Sequence, residues 1–120
     1  MTRTIIAVVD DLFFASKIRG TGEQVGVRVH FAKSIETAIG KARDEAPALV
    51  VVDLNAGCSD AVALARAFKG DDKLNAIPLL GFFSHVQTEL QEQAKQAGFD
   101  QVMPRSAFTK SLVSILQGSA

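Results

Sequence analysis

Three short runs in the sequence, residues 5–9 (Ile-Ile-Ala-Val-Val), 49–52 (Leu-Val-Val-Val) and 79–83 (Leu-Leu-Gly-Phe-Phe), have no polar member. Strands with one face in water alternate apolar and polar residues, whereas strands buried on both faces read as unbroken apolar runs. The three runs therefore predict the middle of a parallel sheet covered by helices on both sides. Two other segments behave differently. Val27-Arg28-Val29-His30-Phe31 alternates, and Gln101-Val102-Met103 is short and partly polar, as strands at a sheet's edges are.

Between these runs the period becomes helical. Ile35, Ala38, Ile39 and Ala42 share one face, as do Ala61, Leu64, Ala65 and Phe68, and Phe108, Leu112, Ile115 and Leu116 form a third stripe. Leu90, Ala94 and Ala97 make a thinner stripe in a glutamine-rich segment, so the fourth helix is predicted to be the most exposed. Gly26, Pro47 and Gly98 punctuate helix ends. Gly20 and Gly22 each cost about 1 kcal/mol relative to alanine inside a helix, and the first helix is expected to end early.

Five strands alternating with five helices and joined by right-handed crossovers describe a single doubly wound α/β domain over residues 1–120. The flavodoxin-like strand order 2-1-3-4-5 places both polar strands at the edges. Charge and composition exclude several functions. Thirteen basic residues balance thirteen acidic ones, so the electrostatic footprint of a nucleic-acid binder is missing. No apolar stretch approaches the ~20 residues of a membrane span. The single cysteine, Cys58, has no internal disulfide partner, and residues 1–6 lack the apolar core of a signal peptide; a cytoplasmic location is expected. The ending Gly118-Ser119-Ala120 is compatible with a natural terminus or a cut linker.

Ligands of such sheets bind at the carboxyl ends of the strands where the winding reverses, between the first and third strands. Asp10 and Asp11 follow the first strand and Asp53 closes the third. Each alone reads most simply as a helix cap or a solvated acid, and Asp11 ahead of Leu12 could do no more than that. Together, flanking the switch point, they make an acidic pocket. Like charges so close need a proton or a cation, and hard oxygen ligands suit Mg²⁺, with the backbone carbonyl of Asn55 nearby.

Val8-Val9-Asp10-Asp11, then Val51-Val52-Asp53-Leu54-Asn55 with Asp60 downstream, then Ile77-Pro78-Leu79-Leu80, and 98–105 (Gly-Phe-Asp-Gln-Val-Met-Pro-Arg) together resemble the signatures of bacterial two-component response-regulator receiver domains of the CheY-like type. The resemblance covers nearly the whole chain. It implies that Asp53 accepts a phosphoryl group from a histidine kinase or phosphotransfer protein. It also implies that Asp10 and Asp11, with Asp53 and the Asn55 carbonyl, hold Mg²⁺, and that a downstream protein docks on the fourth helix, fifth strand and fifth helix.

The chain departs from that family where the phosphoryl group is read. Laid on Pro78, the family's Ser/Thr position falls on Phe83, and Ser84 stands one step along, where a strand turns a side chain to the opposite face. A β-bulge after Gly81 would return Ser84 to the site. The aromatic of the fifth strand that completes the family's switch is the smaller Val102, and the Lys-Pro pair is Arg105-Ser106. Arginine keeps the charge but offers a planar fork able to hold a carboxylate with no phosphate present; it either enters the pocket or points away as a surface residue. The peptide before Ser106 is predicted trans, since a cis bond there costs about 3 kcal/mol. Gly57 and Ala61 replace a proline and a glycine common after the phosphoacceptor. Cys58 has no cationic neighbour in sequence to activate it, and His30 and His85 lack zinc-ligand spacing.

These features favour an atypical receiver domain that is not an enzyme and works by protein–protein contact in phosphorelay signalling, with Asp53 phosphorylation impaired or uncoupled. Two alternatives stay open: a conventional Mg²⁺-dependent receiver phosphorylated at Asp53, and a small flavodoxin-like phosphatase or ligand-binding protein. The last is disfavoured by Leu12-Phe13-Phe14 where a glycine-rich phosphate loop would stand. The oligomeric state has no signature in the sequence.

Overall fold

The computed structural model describes residues 3–56, 60–84 and 86–118. Gly57, Cys58, His85, Ser119 and Ala120, singled out above, lie outside them. Strands β1 (Thr4–Val8), β2 (Arg28–Ala32), β3 (Leu49–Asp53), β4 (Leu79–Phe83) and β5 (Gln101–Pro104) pair in parallel in the order β2-β1-β3-β4-β5. Helices α1 (Leu12–Val25), α2 (Ile35–Glu45), α3 (Ala61–Lys69), α4 (Thr88–Ala97), α5 (Arg105–Lys110) and α6 (Leu112–Gln117) cover both faces.

The unbroken apolar runs are explained by two cores separated by the sheet. Ile6, Val8, Val50, Val52 and Leu79 meet α2, α3 and α4 on one face. Ile5, Ala7, Val51, Leu80 and Phe82 meet α1, α5 and α6 on the other. Each central strand thus buries both sets of alternating side chains, at roughly 1.5–3 kcal/mol per large side chain removed from water. The outer strands are less buried, and α4 buries only Ala94, as its thin stripe predicts. Among the described residues no helix is long and apolar enough to cross a membrane.

Two expectations are corrected. The first helix does not end early: α1 runs fourteen residues, through both glycines. Gly22 is buried against β2, where an added Cβ would lie 3.0 Å from the Val27 carbonyl oxygen and 3.0 Å from Val29 Cγ2. The close helix–strand approach that needs a glycine holds the helix whose propensity that glycine lowers. The last helix, expected to be continuous, is divided at Ser111 (φ −105°, ψ 14°). Ser111 makes no side-chain capping bond, its amide and that of Ile115 still donate to the carbonyls four residues back at 3.1 and 2.9 Å, and Phe108, Leu112, Ile115 and Leu116 stay buried across the break, so the local change of dihedral leaves the packing of the stripe intact. Every described peptide bond is trans, that before Ser106 included.

Candidate functional site

Asp53 is the last residue of β3 and, at 7% exposure, the one buried charged residue among those described. Its place follows from register: β3 pairs with β1 on one side and β4 on the other, Asp53 opposite Phe82. The Asn55 amide donates to Asp53 Oδ1 at 2.9 Å. Burial pushes the Asp53 carboxyl above its ordinary range; the Asn55 amide and the Arg105 guanidinium pull it back, while Asp10 and Asp11 repel it and raise it further. The three acids are thus within electrostatic reach of one another, as the topology requires.

Asp10 is exposed in the β1–α1 connection. Asp11 is the N-cap of α1, its Oδ1 accepting from the amides of Phe13 at 2.9 Å and Phe14 at 3.2 Å. Its Oδ2 accepts from Arg105 Nη2 at 3.1 Å. The Phe14 amide, followed by Arg105, holds this carboxyl below the usual range. The capping role allowed for Asp11 is therefore met, and a second role is added. Arg105, placed by the sequence at the end of the fifth strand, is instead the first residue of α5, with Pro104 bridging strand and helix directly. Of the two orientations left open, it takes the inward one. Its target is Asp11, which it meets through Nη2, while its charge also bears on Asp53.

Phe14 completes the arrangement and was not singled out in the sequence beyond its place in an apolar triplet. The Arg105 guanidinium carbon lies 3.9 Å above the Phe14 ring centroid. Phe14 in turn packs on Phe82 at 5.1 Å and Phe108 at 5.8 Å, and those two stack at 4.7 Å. The usable sequence signal was helical spacing, since Phe14 follows Asp11 by three residues and precedes Ile18 by four.

The readout positions are also resolved. The register runs without a break from Leu79 to Phe82 against β3 and from Leu80 to Phe83 against β5, so the bulge after Gly81 that would return Ser84 to the site is not formed. Ser84 is exposed, and its amide donates to Asn55 Oδ1 at 2.8 Å. The Asn55 side-chain amide donates to Gln87 Oε1 at 3.1 Å, tying the β3 and β4 loops together. Phe83 and Val102 are both half-buried and pack against the core on the α2–α4 face. Beside Arg105 opens a cleft of about 740 Å³, with Phe83, Ser84, Ser106, Lys17 and Lys110 in its walls.

Mg²⁺, the ion implied by the resemblance, does not fit this arrangement as it stands. Among the described residues no three acids, histidines or cysteines are placed to hold a metal ion together. Both oxygens of Asp11 are occupied by donors, one of them a cation.

The electrostatics of Asp53 set a pH-dependent expectation. A carboxyl whose folded pKa exceeds its unfolded one binds its proton more strongly when folded, so it lowers stability as pH rises through that interval and keeps it lower above. Asp53→Asn removes the penalty. The variant is expected to melt a few degrees above the wild type at neutral pH, the gap closing below about pH 4, where the carboxyl is protonated in both states. Thermal melts across pH check this; a variant that melts lower at neutral pH contradicts it.

No protein-family model matches the sequence, and no curated protein sequence matches it. Solved structures do. The fold is that of response-regulator receiver domains. The chemotaxis response regulator CheY4 of Vibrio cholerae superposes with a TM-score of 0.83 at 18% identity over 100% of both chains. The phosphorylated cyanobacterial phytochrome response regulator RcpA superposes with a TM-score of 0.80 at 20% identity, covering 98% of this chain and 91% of the other. The receiver domain of NtrX from Brucella abortus gives 0.79 at 20% identity over 96% of each.

Proposed function

We propose that residues 1–120 form an atypical receiver domain that acts in two-component signalling by contact with other proteins, with Asp53 phosphorylation impaired or uncoupled from a conformational response. The observation that carries this reading is the buried Asp53 at the switch point of a receiver fold, beside Asp10 and Asp11, with a cation already among them. Phosphoryl transfer to such a carboxylate is chemically simple: an Asp53 oxygen attacks phosphorus, the bond to the donor's nitrogen or oxygen breaks, and an acyl phosphate forms as the donor leaves with the electron pair. The step adds negative charge to a pocket that already holds three acids, and Arg105 is the cation at hand to offset it.

The response to that charge is where the chain differs. Phe83 has no hydroxyl to donate, Ser84 is outside the strand, and Val102 is an aliphatic side chain packed against the core; this set lacks the hydroxyl and the aromatic that would answer a phosphoryl group. Partners are then recognised through surfaces that do not depend on phosphorylation. Leu12 and Phe13, 71% and 90% exposed in the first turn of α1 next to Asp11, supply apolar area for a kinase or phosphotransfer protein, and the lightly buried α4 for a downstream one.

Incubation with a small phosphoryl donor such as acetyl phosphate and Mg²⁺, read by intact mass, tests this. Wild type is expected to show at most a trace gain of one phosphoryl group, absent in Asp53→Asn, without amide shifts at Phe83 or Val102. Stoichiometric, Asp53-dependent gain accompanied by such shifts would establish the conventional reading instead.

A further inference from the structure

Asp10, Asp11 and Asp53 share one end of the sheet, and a divalent ion entering among them needs oxygen lone pairs that face it. The structure already engages both oxygens of Asp11. Oδ1 is held by the first turn of α1, and Oδ2 by Arg105. Arg105 is itself held twice, through that oxygen and through the face of Phe14 at 3.9 Å. Phe14 is buried and backed by Phe82 and Phe108, so the guanidinium rests on a rigid wall. Planarity matters here: a guanidinium stacks flat on an aromatic face while donating from its edge, and an ammonium does not.

We propose that Arg105 is the resident counter-cation of the acidic pocket and that its occupancy and that of a divalent cation exclude one another. This rests on reading the acidic end as the receiver's pocket, but not on whether Asp53 is phosphorylated. Two unit charges at the contact distance of Asp11 and Arg105 attract, and with both side chains about a third exposed the pair is partly screened by solvent and salt, so the Phe14 face is the second hold on the guanidinium. A metal ion must break that pair, lift the guanidinium from Phe14 and be repelled by it while it stays near. Arg105 is also, among the described residues, the cation that opposes the upward push of burial on Asp53, so part of the charge balance a metal would supply comes from α5.

Mg²⁺ alone is the probe, followed by amide shifts of Asp10, Asp53 and Asn55 in wild type, Arg105→Ala, Arg105→Lys and Phe14→Leu. Wild type is expected to bind at least tenfold more weakly than Arg105→Ala. Arg105→Lys and Phe14→Leu should fall between them, because each keeps the charge but loses the stack. Mg²⁺ should also raise the melting temperature of Arg105→Ala more than that of wild type. Equal affinity in wild type and Arg105→Ala would overturn the proposal, as would a folded Arg105→Ala that binds no Mg²⁺ at millimolar concentration. Neither result bears on the phosphoryl-donor experiment, whose outcome is read as covalent mass at Asp53.

Discussion

Replacing Phe82 with alanine is expected to cost about 3–5 kcal/mol, the range for deleting a buried phenyl ring from a core that collapses only partly. Phe82 is fully buried on the α1–α6 face, stacked on Phe108 with an interplanar angle of 10° and tilted against Phe14 at 5.1 Å. Its ring cannot be replaced by movement of its neighbours, because the strand that carries it is fixed by Asp53 on one side and Met103 on the other. Against a typical total of 5–15 kcal/mol the loss is large. Urea denaturation with an unchanged m-value is the measurement; a loss below about 1.5 kcal/mol would show that the aromatic cluster closes over the gap. The same deletion removes the backing of Phe14.

The second large effect belongs to Gly98, the C-cap of α4. Its φ of +126° lies in the region that side-chain-bearing residues rarely adopt, and a Cβ there would sit 2.5 Å from Lys69 Cγ. Lys69 crosses Gly98 to reach Asp100 Oδ2 at 3.6 Å and the Asn75 carbonyl at 3.3 Å, while Asp100 Oδ2 accepts from the Leu79 amide at 2.8 Å. Gly98→Ala therefore combines backbone strain with displacement of a side chain near the joint of α3, β4 and β5. The expected cost is about 1–3 kcal/mol. A thermal melt checks it, with Gly40→Ala as the control: Gly40 lies within α2, and an added Cβ there meets nothing within 4 Å. A Gly98 variant as stable as its control would contradict the argument.

Much of the fold was legible because it follows from local rules with long reach. Unbroken apolar runs demand two covered faces, and the polar character of residues 27–31 and 101–103 sends them to the edges; the order of strands follows. The early end expected for α1 was wrong for an instructive reason. A helix propensity describes an isolated segment, and at Gly22 the missing side chain permits an approach to β2 that no count of glycines reveals. The break at Ser111 leaves the same apolar stripe buried on both sides of it, so the spacing of that stripe did not show it.

At the site the sequence identified the charged residues and left their pairing open. Asp11 carries both a cap, readable from its position before Leu12, and an ion pair with a residue 94 positions away, readable only in space. Ser84 was one residue from the family's hydroxyl position, and only the unbroken register of β4 decided that it stays outside the strand. Phe14 was one apolar residue among three until its ring was found under Arg105.

The sequence by itself determined which residues must be buried, and hence the layered sheet and the gathering of Asp10, Asp11 and Asp53 at one end of it. Burial is a property each residue carries in its own chemistry. The tertiary structure alone decided that Arg105 enters that gathering, which acid it holds and what it rests on. Those outcomes depend on distances of a few ångströms between α1 and α5, and electrostatic and aromatic contacts change steeply over that range while the order of residues does not change at all.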